Sequence, residues 1–160
     1  MHIRQGAARD RTFIRDLSAR VFARFGDYET TLPVMAGRPE VYTLIVEADR
    51  QRIGFAMYTI ETPAAADLLA IAVLPEWQLQ GAGKLLLDGV EAAVRDCAGE
   101  AGETSVRLSV AQDNIPAQRL FERCGYRYLP EEQGFYPGGQ PSIAMWKRLL
   151  PGTSGKTVRP

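Results

Sequence analysis

The sequence predicts an α/β fold of the α+β kind: a mixed, mostly antiparallel sheet of about six to seven strands with helices on both faces. Three observations predict it. Strand-like and helix-like apolar patterns follow one another in the order β-α-(α)-β-β-β-α-β-α-β-β. Two strands, near Val41–Ala48 and Ile53–Glu61, are separated by the short polar turn Asp49-Arg50-Gln51-Arg52, as in an antiparallel hairpin. The segment Leu68–Leu74 is almost wholly apolar, as a strand covered on both faces must be.

Taken in order, His2–Gln5 reads as a first strand. Asp10 can cap a helix in which Phe13, Ile14, Leu17, Val21 and Phe25 recur at helical spacing, and Gly26 is its natural stop. Residues Asp27 to Pro39 mix acids, an aromatic, Thr30-Thr31, two prolines and Gly37, and read as a loop with at most one short helix. After the hairpin, the turn Thr62–Ala66 leads into Leu68–Leu74, which Pro75 ends. The segment Glu76 to Lys84 runs into a helix with apolar positions at Leu86, Leu87, Val90, Ala93, Val94 and Cys97, and Gly99 lies past its end. Ser105–Ala111 is another strand. Asp113 or Asn114 caps the next helix, Pro116 is tolerated in its first turn, and Ala117, Leu120, Phe121 and Cys124 form its buried stripe. Tyr126–Leu129 and Ser142–Leu149 read as the last strands, joined by a Gly/Pro loop from Pro130 to Pro141. Residues 151–160 read as a mobile polar tail after one domain over residues 1–150.

Composition narrows the function. The chain has 160 residues, 46% of them hydrophobic, with 19 Lys+Arg against 19 Asp+Glu. Balanced charge and a pI near 6.6 speak against a dedicated nucleic-acid binder, and the apolar content speaks against disorder. No stretch approaches the roughly 20 apolar residues of a membrane span, and the N-terminus lacks the apolar core of a signal peptide. Cys97 and Cys124 fall on apolar helix positions, so two buried free thiols and a cytoplasmic location are expected. One His and two scattered Cys make no zinc site, and no metal is expected.

The chemistry concentrates at Gln78-Leu79-Gln80-Gly81-Ala82-Gly83-Lys84. A buried strand ends there, the chain turns through small residues, and a helix begins. The first N–H groups of that helix lack intrahelical partners and sit at the positive end of its dipole, which makes a diphosphate-sized anion site. Gln78, Gln80 and Lys84 can add donors at the rim. An ordinary turn before a helix is the plain alternative. A Walker A loop fails, because Leu85 follows Gly83-Lys84 and Gln78 stands where the first Gly belongs. A dinucleotide fingerprint fails too, because Leu86 replaces the third Gly.

Val73-x-Pro75-x-x-Gln78-x-x-Gly81-x-Gly83, opening a helix, resembles the [QR]-x-x-G-x-[GA] loop of the GNAT superfamily of N-acetyltransferases. Asn114-x-x-Ala117-x-x-Leu120-Phe121-x-x-x-Gly125-Tyr126 is similar to that family's second motif. The element order agrees across about residues 2 to 149. The resemblance implies acetyl-CoA as cosubstrate, its pyrophosphate held by Gln78 to Lys84. It implies that two strands splay, and that the pantetheine arm pairs with the backbone of Ile71-Ala72-Val73 while Asn114 and Phe121 flank the thioester end. It leaves a monomer and a homodimer both open.

Two departures from the family bear on mechanism. Many members carry Tyr where this chain has Phe121, and that phenol protonates the departing thiolate. Some protein-directed members carry Glu where this chain has Ser109. Replacement groups are therefore sought elsewhere: Tyr136 as proton donor, with Asp27, Tyr28 and Glu29 in the segment that the resemblance places beside the acceptor. Those acids and rings suit a cationic amine. The reading is an N-acetyltransferase acting on the primary amine of a small molecule. A protein or peptide amine acetyltransferase and a non-catalytic acyl-CoA-binding module are the alternatives.

Overall fold

In the computed structural model, which describes residues 1–99 and 102–151, seven strands form one sheet in the order β1-β2-β3-β4-β5-β7-β6. The strands β1 (His2–Gln5), β2 (Val41–Ala48), β3 (Gln51–Thr62) and β4 (Ala65–Val73) run antiparallel in sequence order. β5 (Thr104–Ala111) lies parallel to β4, because the crossover helix α3 (Ala82–Ala98) carries the chain back before β5 starts. β7 (Pro141–Leu149) and β6 (Arg127–Phe135) complete the sheet antiparallel.

Alternation along the strands supplies two cores. Val41, Ile45, Phe55, Met57 and Ala72 face α1 (Arg11–Val21) and α2 (Tyr28–Met35), through Ile14, Leu17 and Leu32. Leu44, Val46, Val106 and Leu108 face α3 and α4 (Ile115–Arg123), through Leu86, Leu87, Val90, Val94 and Phe121. Burial on both faces explains the nearly unbroken apolar run in β4.

The structure differs from the sequence reading in several places. The β2–β3 turn is tighter, with Asp49 and Arg50 both left-handed at φ 49° and 63°, and β3 starts at Gln51. Two central residues at positive φ match the twist of the flanking strands. Asp10 does not cap α1. Its carboxylate is fully buried and accepts from Arg4 at 2.8 and 2.9 Å, from the Ala7 N–H at 2.8 Å and from Arg52 at 3.3 Å. The Arg4 guanidinium holds that carboxyl down to about 2.

Helix α1 stops at Val21, and a 3-10 turn over Ala23–Phe25 carries the chain to Gly26. The expected loop after it contains the eight-residue α2, capped by the Asp27 carboxylate, which accepts from the Thr30 N–H at 3.3 Å. Strand β6 runs on to Phe135, with its ladder slipping between Leu129 and Gln133 so that Pro130 needs no ladder partner. Both cysteines are free, but Cys97 is exposed on the last turn of α3 and Cys124 is half-buried, in place of the two buried thiols expected. The tail expected over 151–160 lies, from residue 152 on, outside the described residues. Among the described residues no helix is long and apolar enough to cross a membrane.

Candidate active site

The parallel ladder between β4 and β5 ends at Leu68 and Leu108, although β4 continues to Val73 and β5 to Ala111. Beyond those residues the two strands part. The Leu74 N–H is given to the Ile53 carbonyl of β3 at 2.8 Å. Neighbours along a strand alternate in direction, so the backbone groups of Val73 and Ile71 face away from β3, into the gap. The Val73 carbonyl there accepts the Gln78 side-chain amide at 3.1 Å. The Ile71 N–H and carbonyl and the Val73 N–H remain available to a ligand arm lying in the gap, while Ala72 packs in the α1/α2 core.

At the top of the gap, a 3-10 turn over Pro75–Trp77 leads into the loop before α3. Leu79 and Gly81 are left-handed, at φ 61° and 91°. The first hydrogen bond of α3 runs from the Leu85 N–H to the Gly81 carbonyl at 2.9 Å, so the N–H groups of Ala82, Gly83 and Lys84 have no acceptor among the described residues. A Cβ built on Gly81 meets nothing within 4 Å. Open N–H groups at a helix N-terminus above an empty cradle fit a pyrophosphate.

Other details of the loop depart from expectation. Gly83 serves helix packing, because its Cβ would lie 2.9 Å from a Leu120 methyl of α4. The rim side chains are also engaged: the Gln80 amide donates to the Glu76 carbonyl at 2.9 Å, and Lys84 pairs with Asp88 at 2.6 Å. Leu79 holds its apolar side chain 96% exposed on left-handed backbone that disfavours it.

The gap opens into a cavity of about 90 Å³. One wall, from β4, β5 and α4, includes Ile71, Val110, Asn114, Ala117 and Phe121. Asn114 caps α4 by accepting the Ala117 N–H at 3.3 Å, so helix cap and cavity lining coincide in one side chain. Phe121 is buried, edge-on to Tyr126 with ring centroids 5.8 Å apart. The opposite wall is aromatic: Phe22, Phe25, Tyr28 and Tyr136, with Leu32 behind. The Tyr136 hydroxyl donates to the Ser109 carbonyl on β5 at 3.3 Å. Its ring lies 4.7 Å from that of Phe25 and 6.4 Å from that of Tyr28. Burial pushes its phenol up to about 12, and burial raises that of Tyr28 as well.

The structure thus brings Ile71, Asn114, Phe121 and Tyr136 to one cavity, beneath the loop from Gln78 to Lys84. It does not bring Asp27 and Glu29 there. Both line a separate surface hollow with Ser18 and Ala23, and the residue between them, Tyr28, is the one that faces the cavity. Helical geometry explains this, since three successive residues at the start of α2 point in different directions.

Sequence reasoning missed the part of the wall made by Phe22 and Leu32. It also missed Gln118, whose buried amide donates to the Ala111 and Gln112 carbonyls at 2.9 Å each and closes the splayed end of β5. Phe22 and Leu32 carry a partial signal as apolar residues in a segment read as helix end and loop. Gln118 carries none. Among the described residues no group of three His, Cys, Asp or Glu could hold a metal.

Comparison with known proteins bears on this geometry. The profile of the acetyltransferase (GNAT) family matches residues 10–126. The fold is similar to that of the ribosomal-protein-S18-alanine N-acetyltransferase from Escherichia coli, at 21% identity over 98% of this chain and 97% of that one, with a TM-score of 0.75. It is similar to an aminoglycoside 6'-N-acetyltransferase complexed with coenzyme A, at 15% identity over 95% and 99%, with a TM-score of 0.75. Ard1 from Thermoplasma volcanium gives 22% identity over 92% and 97%, with a TM-score of 0.74. At these identities the likeness is one of fold. No curated protein matches the chain by sequence.

Proposed function

The chain belongs to the GNAT acetyltransferase family, and from that premise we propose that it transfers the acetyl group of acetyl-CoA to the primary amine of a small molecule. The observation that carries the reading is the splay of β4 from β5 below a loop of open N–H groups, with a tyrosine hydroxyl reaching in from the far side. The cosubstrate supplies an activated acyl group as a thioester. The loop from Gln78 to Lys84 would hold its pyrophosphate. Ile71 and Val73 would hold the pantetheine arm through backbone groups, and Asn114 and Phe121 would flank its end.

The remaining steps belong to this chain's residues. The Val73 N–H faces the gap and can stabilise negative charge on a carbonyl oxygen there. Tyr136, not position 121, supplies the proton: its phenol is held protonated across the physiological range and sits at the cavity. A thiol of ordinary pKa, about 8.5, is a tolerable leaving group, so one well-placed donor suffices.

Of the acids and rings expected from the sequence beside the acceptor, the rings of Tyr28 and Tyr136 line the cavity and the carboxylates of Asp27 and Glu29 do not. Rings attract an ammonium through their faces and cover an apolar body, which favours an amine carried on an aliphatic or aromatic frame. A screen of small amines and short peptides, detecting free thiol, tests the reading. Steady thiol release with apolar primary amines is the expected result. Turnover of peptides alone would replace it with the peptide reading, and acetyl-CoA binding without turnover of any acceptor would make the chain a binding module.

A further inference from the structure

Three loops meet beside the acceptor cavity, and one ion pair ties two of them. Arg24, in the turn between α1 and α2, gives both terminal guanidinium nitrogens to the Asp113 carboxylate, at 2.7 and 3.0 Å. Asp113 directly precedes Asn114, the α4 cap that lines the cavity. The same guanidinium lies 4.4 Å from the centroid of the Phe25 ring, another part of the cavity wall. The third loop, between β6 and β7, closes on the same backbone. The Arg24 carbonyl accepts the Gln140 side-chain amide, and the Phe25 carbonyl accepts the Gly138 N–H at 2.9 Å. Packing there leaves no slack: a Cβ on Gly138 would stand 2.5 Å from the Arg24 carbonyl oxygen, and one on Gly26 would stand 3.0 Å from the Pro137 ring.

An ordinary exposed ion pair between two flexible side chains contributes little. This one has a two-pronged geometry, a guanidinium also seated on a ring, and a backbone pinned by a third loop. Those features leave less freedom to lose on pairing. We propose that the Arg24–Asp113 pair is a positioning clasp that sets which amines the site accepts, by holding the aromatic wall of the α1–α2 turn at a fixed distance from Asn114. The proposal rests on the acetyltransferase reading above. With the clasp closed, the space between Phe25, Tyr28 and Asn114 suits a narrow amine. With it open, the wall can retreat, so narrow amines are held less well and wider ones gain entry.

The test uses Asp113→Asn, Arg24→Gln and the charge-swapped double variant Arg24→Glu with Asp113→Arg. Three readouts separate the outcomes: hydrogen exchange of peptides covering residues 22–28 and 136–140, coenzyme A affinity by calorimetry, and kinetics with a narrow and a wide amine. Each single variant is expected to speed exchange in both peptides and raise the narrow amine's KM about threefold to fivefold, with kcat and coenzyme A affinity within about twofold. The preference for the narrow over the wide amine should shrink. The swapped pair restores the charge contact but not the guanidinium on the Phe25 ring, so exchange and KM should recover part of the way toward wild type. Unchanged exchange and KM in the single variants overturn the clasp, and so does a swapped pair that behaves like the singles, since the effect would then belong to one charge alone. If the wild type releases thiol with no amine, the acetyltransferase reading fails, and the exchange measurements still decide whether the pair holds the loops.

Discussion

The loop before α3 follows β4 where it parts from β5, and the aromatic wall lines the cavity at that same splay, yet the two are built in different ways. The loop offers backbone. Its N–H groups, the left-handed turn at Gly81 and the helix that starts there all come from one short run of sequence. The wall offers side chains drawn from the α1–α2 turn, α2 and the β6–β7 turn, which meet only in the folded chain. A site made of consecutive backbone is tolerant of side-chain identity but not of side-chain presence. A site made of separate side chains is sensitive to each of them and to what holds the loops together. The two halves should therefore respond differently to substitution.

The largest effect is expected in the loop. Gly81→Glu puts a side chain and a negative charge into the cradle, at a φ of 91° that disfavours any side chain. Coenzyme A affinity measured by calorimetry should fall by about a hundredfold or more, since charge repulsion adds to the loss of backbone donors. The fold should survive, because Gly81 is exposed and nothing packs against it. Unchanged affinity in a folded variant would remove the loop from the cosubstrate site.

That contrast also explains how much could be read in advance. The strand-loop-helix at Leu68 to Lys84 is a local pattern, so both the open N–H groups at the start of α3 and the strand beside them were visible in sequence. The splay of β4 from β5 was visible only through a family resemblance, because pairing partners distant in sequence leave no local mark. Asn114 was readable as a cap for the same local reason as Gly81. Tyr136 lines the cavity from a turn that is shorter than the loop expected, because β6 runs on to Phe135. Asp27 and Glu29 fall outside the cavity because composition gives no direction: they flank Tyr28, and the helix start turns them into another hollow. Asp10 departs from expectation for another reason. Its spacing suits a cap, but a buried carboxylate beside two arginines is held by those charges instead.

A smaller effect is expected on the wall, at Tyr136. Tyr136→Phe removes the hydroxyl and keeps the ring packed at a tilt against Phe25. The value of kcat should fall about ten- to a hundredfold, below the usual range for a lost general acid because the thiolate leaves tolerably unaided. The acceptor KM should move less. The pH profile sharpens the test. An acid must be protonated to act, and the phenol is pushed up to about 12, above its ordinary value of 10. Its contribution is therefore fully present below the ordinary value and is lost only as pH rises toward 12. The ratio of wild-type to variant kcat should stay level from pH 7 to 10. A ratio that collapses within that window would assign the proton to another group.

The smallest effect is expected from the acids that composition singled out. If a carboxylate drew the amine in, Asp27→Asn and Glu29→Gln would each raise the acceptor KM several-fold. Their place in a hollow separate from the cavity argues otherwise. Asn caps a helix about as well as Asp, so Asp27→Asn should retain α2 and keep Tyr28 against Phe22, where the rings lie 5.8 Å apart. The acceptor KM should then change by less than about twofold, as expected for a screened surface charge. Asp27→Ala separates charge from cap. It removes the bond to the Thr30 N–H and should cost about 0.5–1 kcal/mol of stability, seen as a Tm lower by a few degrees. Any KM rise it causes beyond that of Asp27→Asn would then act through the start of α2 and the position of Tyr28. A rise of equal size in both variants would instead return the carboxylate to the acceptor site and place the boundary between the two regions on the other side of Asp27.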